Sequence, residues 1–202
     1  RIAYRSVSFH EREYYVEKDG EWLRLDLPLK ASPYAVISEQ MLVTTDVDWE
    51  VDGQTFPADS IIAMDLEEWK SDPNGAAKTL VWAPGERQTK RGGGITASSF
   101  YIGILDNVVG KVLKFDYVDG EWTSTEVALP GNSTVGVAAS SNSSEQVMFT
   151  VTNFLEPTTL YYSDGSSDPQ VLKTSPERFD ASGIEVEQFE ATSKDGTKIP
   201  YF

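Results

Sequence analysis

At 202 residues, 40% hydrophobic and 11% aromatic, the chain is long enough for one good core or two small domains and has the composition of a folded globular protein. Thirty-two acidic against seventeen basic residues give a formal net charge of −15, which repels phosphate backbones and anionic head groups and so sets aside nucleic acid and membrane surfaces as partners. The absence of cysteine excludes a disulfide framework, a thiol nucleophile and a thiolate metal site, and no apolar run approaches the roughly 18 residues of a membrane-spanning helix.

In chain order, Ile2–Phe9, Glu13–Glu17 and Glu21–Leu27 read as strands rich in Tyr, Val, Phe and Leu, with Asp19-Gly20 turning between the last two. The next unit is predicted over Ala35–Ser38, Met41–Asp46, Ser60–Leu66 and Thr79–Ala83. Within it, Val51–Ala58 and Glu67–Ala77 read as loops, with one helical turn at Glu67–Lys70. A third unit runs Gly94–Ser98, Ser99–Leu105, Lys111–Val118 and Thr123–Leu129, and a fourth Thr134–Ala139, Gln146–Thr152, Thr159–Ser163 and Val171–Thr174. Alternation places Leu42, Val43, Ile61, Ile62, Ile102, Ile104, Leu113, Phe115, Val147, Phe149, Leu160 and Val171 in the core. A final hairpin is expected between Ile184–Thr192 and Lys198–Phe202, turning through Asp195-Gly196 with both at positive φ.

The units repeat in letters as well as in pattern. Asp19-Gly20-Glu21-Trp22 followed by Leu27-Pro28 recurs as Asp119-Gly120-Glu121-Trp122 followed by Leu129-Pro130, and Pro28, Pro84, Pro130 and Pro176 close successive units. Four short strands per period of about 40–50 residues is the signature of a propeller blade, whereas a β-sandwich shows regular turns without a four-strand period. The predicted fold is therefore all-β: a partial β-propeller of about three four-stranded blades plus part of another, ending in a β-hairpin.

No residue is nominated for catalysis, cofactor binding or metal ligation, and no cofactor is expected. A serine nucleophile on an α/β-hydrolase sits in a Gly-x-Ser-x-Gly elbow, and the sequence contains none. His10, the one histidine, stands at a strand end beside Glu11 and Glu13 without the companions that a zinc site needs. Asp48, Glu50, Asp52 and Asp59 fall at positions 1, 3, 5 and 12 of a calcium-loop spacing with Gly53 at position 6, but strands flank them, and a solvated hairpin turning at Asp52-Gly53 is the expectation. Lys90-Arg91-Gly92-Gly93-Gly94 has no following Lys-Ser/Thr and reads as an interblade loop, not a phosphate cradle. The scattered carboxylates specify no glycosidase pair.

Three stretches carry a family resemblance: Ser193-Lys194-Asp195-Gly196-Thr197-Lys198-Ile199-Pro200, Phe154-Leu155-Glu156-Pro157, and Val186-Glu187-Gln188-Phe189. Together they resemble the prolyl oligopeptidase (prolyl endopeptidase) family of serine peptidases. Trp49 with Phe56-Pro57-Ala58-Asp59-Ser60 and the ending of Leu25–Pro28 look like its bacterial branch, with Asp59 where that pattern has Gly. The resemblance implies that residues 1–183 are the C-terminal half of a seven-bladed propeller and that 184–202 open a following α/β-hydrolase domain, making the chain a segment at both ends. It implies a parent enzyme that cleaves short peptides after proline, with the propeller as a size-selecting cover and the triad beyond the hairpin. The partners then expected are peptide substrate, the remainder of the parent chain and a possible homodimer. A non-catalytic propeller scaffold and a propeller glycosidase are the alternatives, and the compartment, cytoplasm or periplasm, stays open.

Overall fold

The computed structural model describes all 202 residues, and its chain divides into two units, Arg1–Pro84 and Gly85–Phe202. The first opens with a three-stranded antiparallel sheet of β1 (Ile2–Ser6), β2 (Arg12–Lys18) and β3 (Glu21–Arg24). Asp19 and Gly20 take φ of 52° and 84° between β2 and β3, the paired positive φ that a two-residue turn of the I′ kind demands. β4 (Ala31–Ile37) and β5 (Gln40–Thr45) follow, then a small hairpin of β6 (Trp49–Val51) and β7 (Gln54–Phe56). β8 (Ile61–Asp65), the short helix α1 (Leu66–Ser71) and β9 (Thr79–Trp82) complete a sheet of order β4-β5-β8-β9.

The inserted hairpin exists because its two ends are apolar. Trp49 and Phe56 are cross-strand partners, their rings 5.9 Å apart, and both are buried with Val16, Leu25, Met41, Val43, Ile62, Met64 and Trp69 in one core. Residues 51–58, expected as a loop, thus contain a second strand, although the turn falls at Asp52-Gly53 as expected, with φ of 53° and 74°. α1 is anchored by Asp65, whose carboxylate accepts from the Glu67 and Glu68 amides at 2.9 Å each, and it buries only Trp69.

The second unit holds two four-stranded meanders and a hairpin. The first meander is β10 (Gln88–Ile95), β11 (Ser99–Asp106), β12 (Val109–Val118) and β13 (Glu121–Glu126), and the second is β14 (Thr134–Ser140), β15 (Val147–Thr152), β16 (Thr159–Ser163) and β17 (Gln170–Thr174). β18 (Phe189–Thr192) pairs with β19 (Lys198–Tyr201). Alternation sends Tyr101 and Val112 to one face of the first meander, where they pack with Val135, Val147, Phe149 and Val151. Phe100 and Phe115 occupy the opposite face as a parallel stacked pair, centroids 4.5 Å apart, with Ile102 and Ile104 also buried. The architecture is that of a partial β-propeller: each sheet is an antiparallel run of strands in chain order, interrupted only by the β6–β7 hairpin between β5 and β8, and no strand crosses into another sheet.

Several expectations are corrected. Lys90–Gly94 is no loop: β10 begins at Gln88 and runs through it, with a bulge between Lys90 and Gly93, and Thr96–Ser98 make the turn instead. Leu113 and Leu160 are only half-buried; beside Leu160, Thr159 takes the inward position with Val151 and Phe149. Val171 is 58% exposed, on a fourth strand whose five residues all face solvent. Strand β1 stops at Ser6, and Phe9 beyond it is 89% exposed. In the last hairpin only Gly196 has positive φ, at 90°; the Gly196 amide donates to Ser193 O and the Ser193 amide to Thr197 O. That is a three-residue loop closed by a glycine bulge, not a two-residue turn.

Candidate functional site

The residues considered from sequence do not converge on one another. His10 is exposed and meets only the edge of Phe9, with ring centroids 4.6 Å apart. In the calcium-spaced loop the carboxylates serve the loop itself. Asp48 Oδ1 accepts from the Ala58 amide at 2.8 Å, and Asp52 pairs at 2.9 Å with Lys78, whose buried ammonium also donates to the Asn74 and Ala76 carbonyls.

The second unit brings three sets of polar groups together. The first is the edge where its sheets converge. β14 packs along β10, β11 and β12, whereas no comparable contact joins the fourth strands β13 and β17. Glycines make the approach possible: a Cβ on Gly110 would lie 2.6 Å from Ser133 O, and one on Gly94 would lie 2.6 Å from Ser140 Oγ. Sheets that converge at their first strands place β10 and β14 beside the central channel of a propeller. At the β10 bulge Lys90 pairs with Ile104 and Gly93 with Ile102, so that Arg91 and Gly92 together oppose Gly103.

The second set is a seam at one end of the interface between the sheets. Thr96 Oγ1 and Ser98 Oγ donate to the two oxygens of Glu145 at 2.7 and 2.8 Å, and Ser99 Oγ donates to Asp116 Oδ1 at 2.5 Å. Lys114 Nζ lies 3.1 Å from the same Asp116 oxygen. Tyr101 and Lys114 line a polar cleft of about 370 Å³ with Glu126 and Asp168. Burial, helped by the Asp116 and Glu145 carboxylates, pushes the Tyr101 phenol up to about 12, so it stays a neutral donor. Nucleophilic catalysis requires a base free to take the serine proton and a path for substrate. Ser99 is 1% exposed and its partner carboxylate is already neutralised by Lys114, so this grouping is structural. The i, i+2 spacing of Ser99 with Tyr101 and of Lys114 with Asp116 was visible in the sequence, but the register that pairs them was not.

The third set fixes the final hairpin. Arg87 Nη1 donates to Glu190 Oε1 at 2.5 Å and to Asn107 Oδ1 at 3.0 Å, and Gln188 Nε2 donates to Asn107 O at 3.0 Å. The Phe202 ring lies 5.5 Å from that of Phe154, and together with Val108 and Asn153 they line a pocket of 210 Å³.

Residues 32–175 match the prolyl oligopeptidase N-terminal β-propeller domain. Over 99% of its length the chain is 35% identical to peptidase y4nA of Sinorhizobium fredii, and over 96% it is 25% identical to peptidase RP174 of Rickettsia prowazekii. It spans 28% of each of those relatives. Among solved structures, the post-proline cleaving enzyme of Rickettsia typhi superposes with a TM-score of 0.79 at 22% identity, over 98% of the chain and 30% of that enzyme. Prolyl oligopeptidase B of Galerina marginata gives 0.66 at 16% identity, over 95% and 27%. With most of the three four-stranded sheets inside the matched span, the chain belongs to the prolyl oligopeptidase family, as β-propeller sequence of its peptidases.

Proposed function

We propose that the chain is the propeller portion of a serine peptidase that hydrolyses short peptides on the carboxyl side of proline, with the propeller limiting substrate size. The observation that carries this reading is the succession of propeller sheets followed by the Ser193–Pro200 hairpin, in a chain with no nucleophile elbow. On this reading residues 184–202 open the hydrolase domain, and serine, base and orienting acid are supplied by sequence following that hairpin. The propeller contributes a channel bordered by first strands such as β10 and β14. An extended peptide threads such an opening, whereas a folded protein does not.

Reading the encoding gene past Phe202 for Gly-x-Ser-x-Gly followed by Asp and His is the immediate test. The biochemical one compares the 202-residue chain with the product of the whole gene on a fluorogenic Gly-Pro substrate. The whole product is expected to release fluorophore, to be blocked by a serine-directed inhibitor and to spare a folded protein containing the same sequence. The 202-residue chain is expected to show no turnover. Inhibitor-sensitive turnover by the short chain, or a whole product inert toward the substrate, overturns the reading.

A further inference from the structure

Thirty-two aspartates and glutamates are spread over this chain, yet none lies on β1, β4, β10 or β14, the first strands of the three- and four-stranded sheets. Two of those strands carry cations instead: Arg5 on β1, and Lys90 and Arg91 on β10. Arg5 is taken by Glu13 at 2.6 Å. Lys90 and Arg91 enter no ion pair, although fifteen more negative than positive charges surround them in the chain. Their setting is built: the bulge sets two residues of β10 against Gly103, and Arg91 Cβ would sit 3.6 Å from a Cβ at that position. Lys90 is in register with Ile104 and Arg91 opposes Gly103, so the bulge divides the two cations between the faces of one strand edge.

We infer that Lys90 and Arg91 form a pair of carboxylate-recognition points, one toward each face of the channel-side edge of the second unit, favouring acidic peptides over neutral ones of the same length. This rests on the peptide-handling reading above. The physical basis is complementarity. A guanidinium presents parallel donors to a carboxylate and an ammonium adds a point charge, while the acid-free strands offer no competing internal partner. A peptide carboxylate repelled by the rest of this acidic surface meets one cation on either face of this edge. One exposed and one half-buried pair correspond to a preference of about tenfold at low ionic strength, shrinking as salt screens them.

The test is an NMR titration of the isotopically labelled 202-residue chain with acetyl-Glu-Glu-Gly-Pro-Glu-Glu and with its all-glutamine counterpart. The acidic peptide is expected to shift the amides of Lys90–Gly94 and to bind about tenfold more tightly than the glutamine peptide. The preference should vanish in the K90Q/R91Q double variant, with an unchanged thermal midpoint confirming that the variant is folded. Equal binding of the two peptides, no binding of either, or shifts confined to other strands overturns the inference. Replacing the peptide proline by alanine separates it from the proposed function: a retained preference upholds carboxylate recognition even if the whole gene product fails to cleave after proline.

Discussion

Gly110 shows how a single hydrogen atom decides whether two sheets close. Its amide donates to Ser133 O at 2.9 Å, and a Cβ there would lie 2.6 Å from that oxygen and 2.7 Å from the Val135 nitrogen. Both are backbone atoms, so no rotamer change relieves the clash. Gly110→Ala is expected to cost about 1–3 kcal/mol, read from the urea midpoint. Gly131→Ala, with nothing within 4 Å, should stay within about 0.5 kcal/mol. Asp195 carries the residue-scale pH response. The Ser193 hydroxyl, then the Thr197 amide, pull its carboxyl from 3.8 down to about 2. A folded-state value below the unfolded one means that the contribution to the hairpin is present above about pH 3.8 and is lost as pH falls through about 2. An NMR titration of the Asp195 carboxyl carbon should show its midpoint near 2, and a midpoint at 3.8 would refute the arrangement.

At the scale of elements, α1 is too short to persist alone and is held by its cap and by Trp69, which is 7% exposed in the core of the first unit. Trp69→Ala should therefore cost about 3–5 kcal/mol in denaturant unfolding, and a loss below 1 kcal/mol would show that the helix is not tied to the core. Strands with β-branched and aromatic alternation, such as Ser99–Asp106 and Val147–Thr152, were legible from pattern alone, as were the Asp19-Gly20 and Asp119-Gly120 turns. What escaped has local causes. β6 and β7 are three residues each, too short for a period to declare itself beside Asp52-Gly53. β10 hides behind three glycines and a bulge, features that read as a loop until the pairing with β11 is seen. Val171 alternates like a core residue, but burial depends on what lies over a fourth strand, which its own letters do not encode. The Asp195-Gly196 turn was placed correctly and mistyped, since one positive φ and two positive φ share the same dipeptide signal. Of the functional groups, the absence of an elbow was plain from sequence, whereas the position of Lys90 and Arg91 on a first strand needed the sheet order.

For the molecule as a whole, the repeated Asp-Gly-Glu-Trp motif announced the blades, and the exposed apolar side chains set its solution behaviour. Ile2 and Tyr4 on β1 are 43% and 62% exposed, and Val171 and Leu172 on β17 are 58% and 55% exposed. Edge strands with apolar side chains pair with other chains unless covered. The purified chain is accordingly expected to associate, with a light-scattering mass above 22.4 kDa at micromolar concentration, and a monodisperse species at 22.4 kDa would refute this. The Arg87–Glu190 pair adds a consequence in time. Synthesis proceeds at roughly 5–20 residues per second, so the strands of β10–β13 leave the ribosome within seconds of one another and that sheet can close as it emerges. Glu190 follows Arg87 by 103 residues, an interval of roughly 5–20 s. Throughout that interval Arg87 waits without its carboxylate, and a stalled or truncated nascent chain would carry finished sheets with an unlatched end.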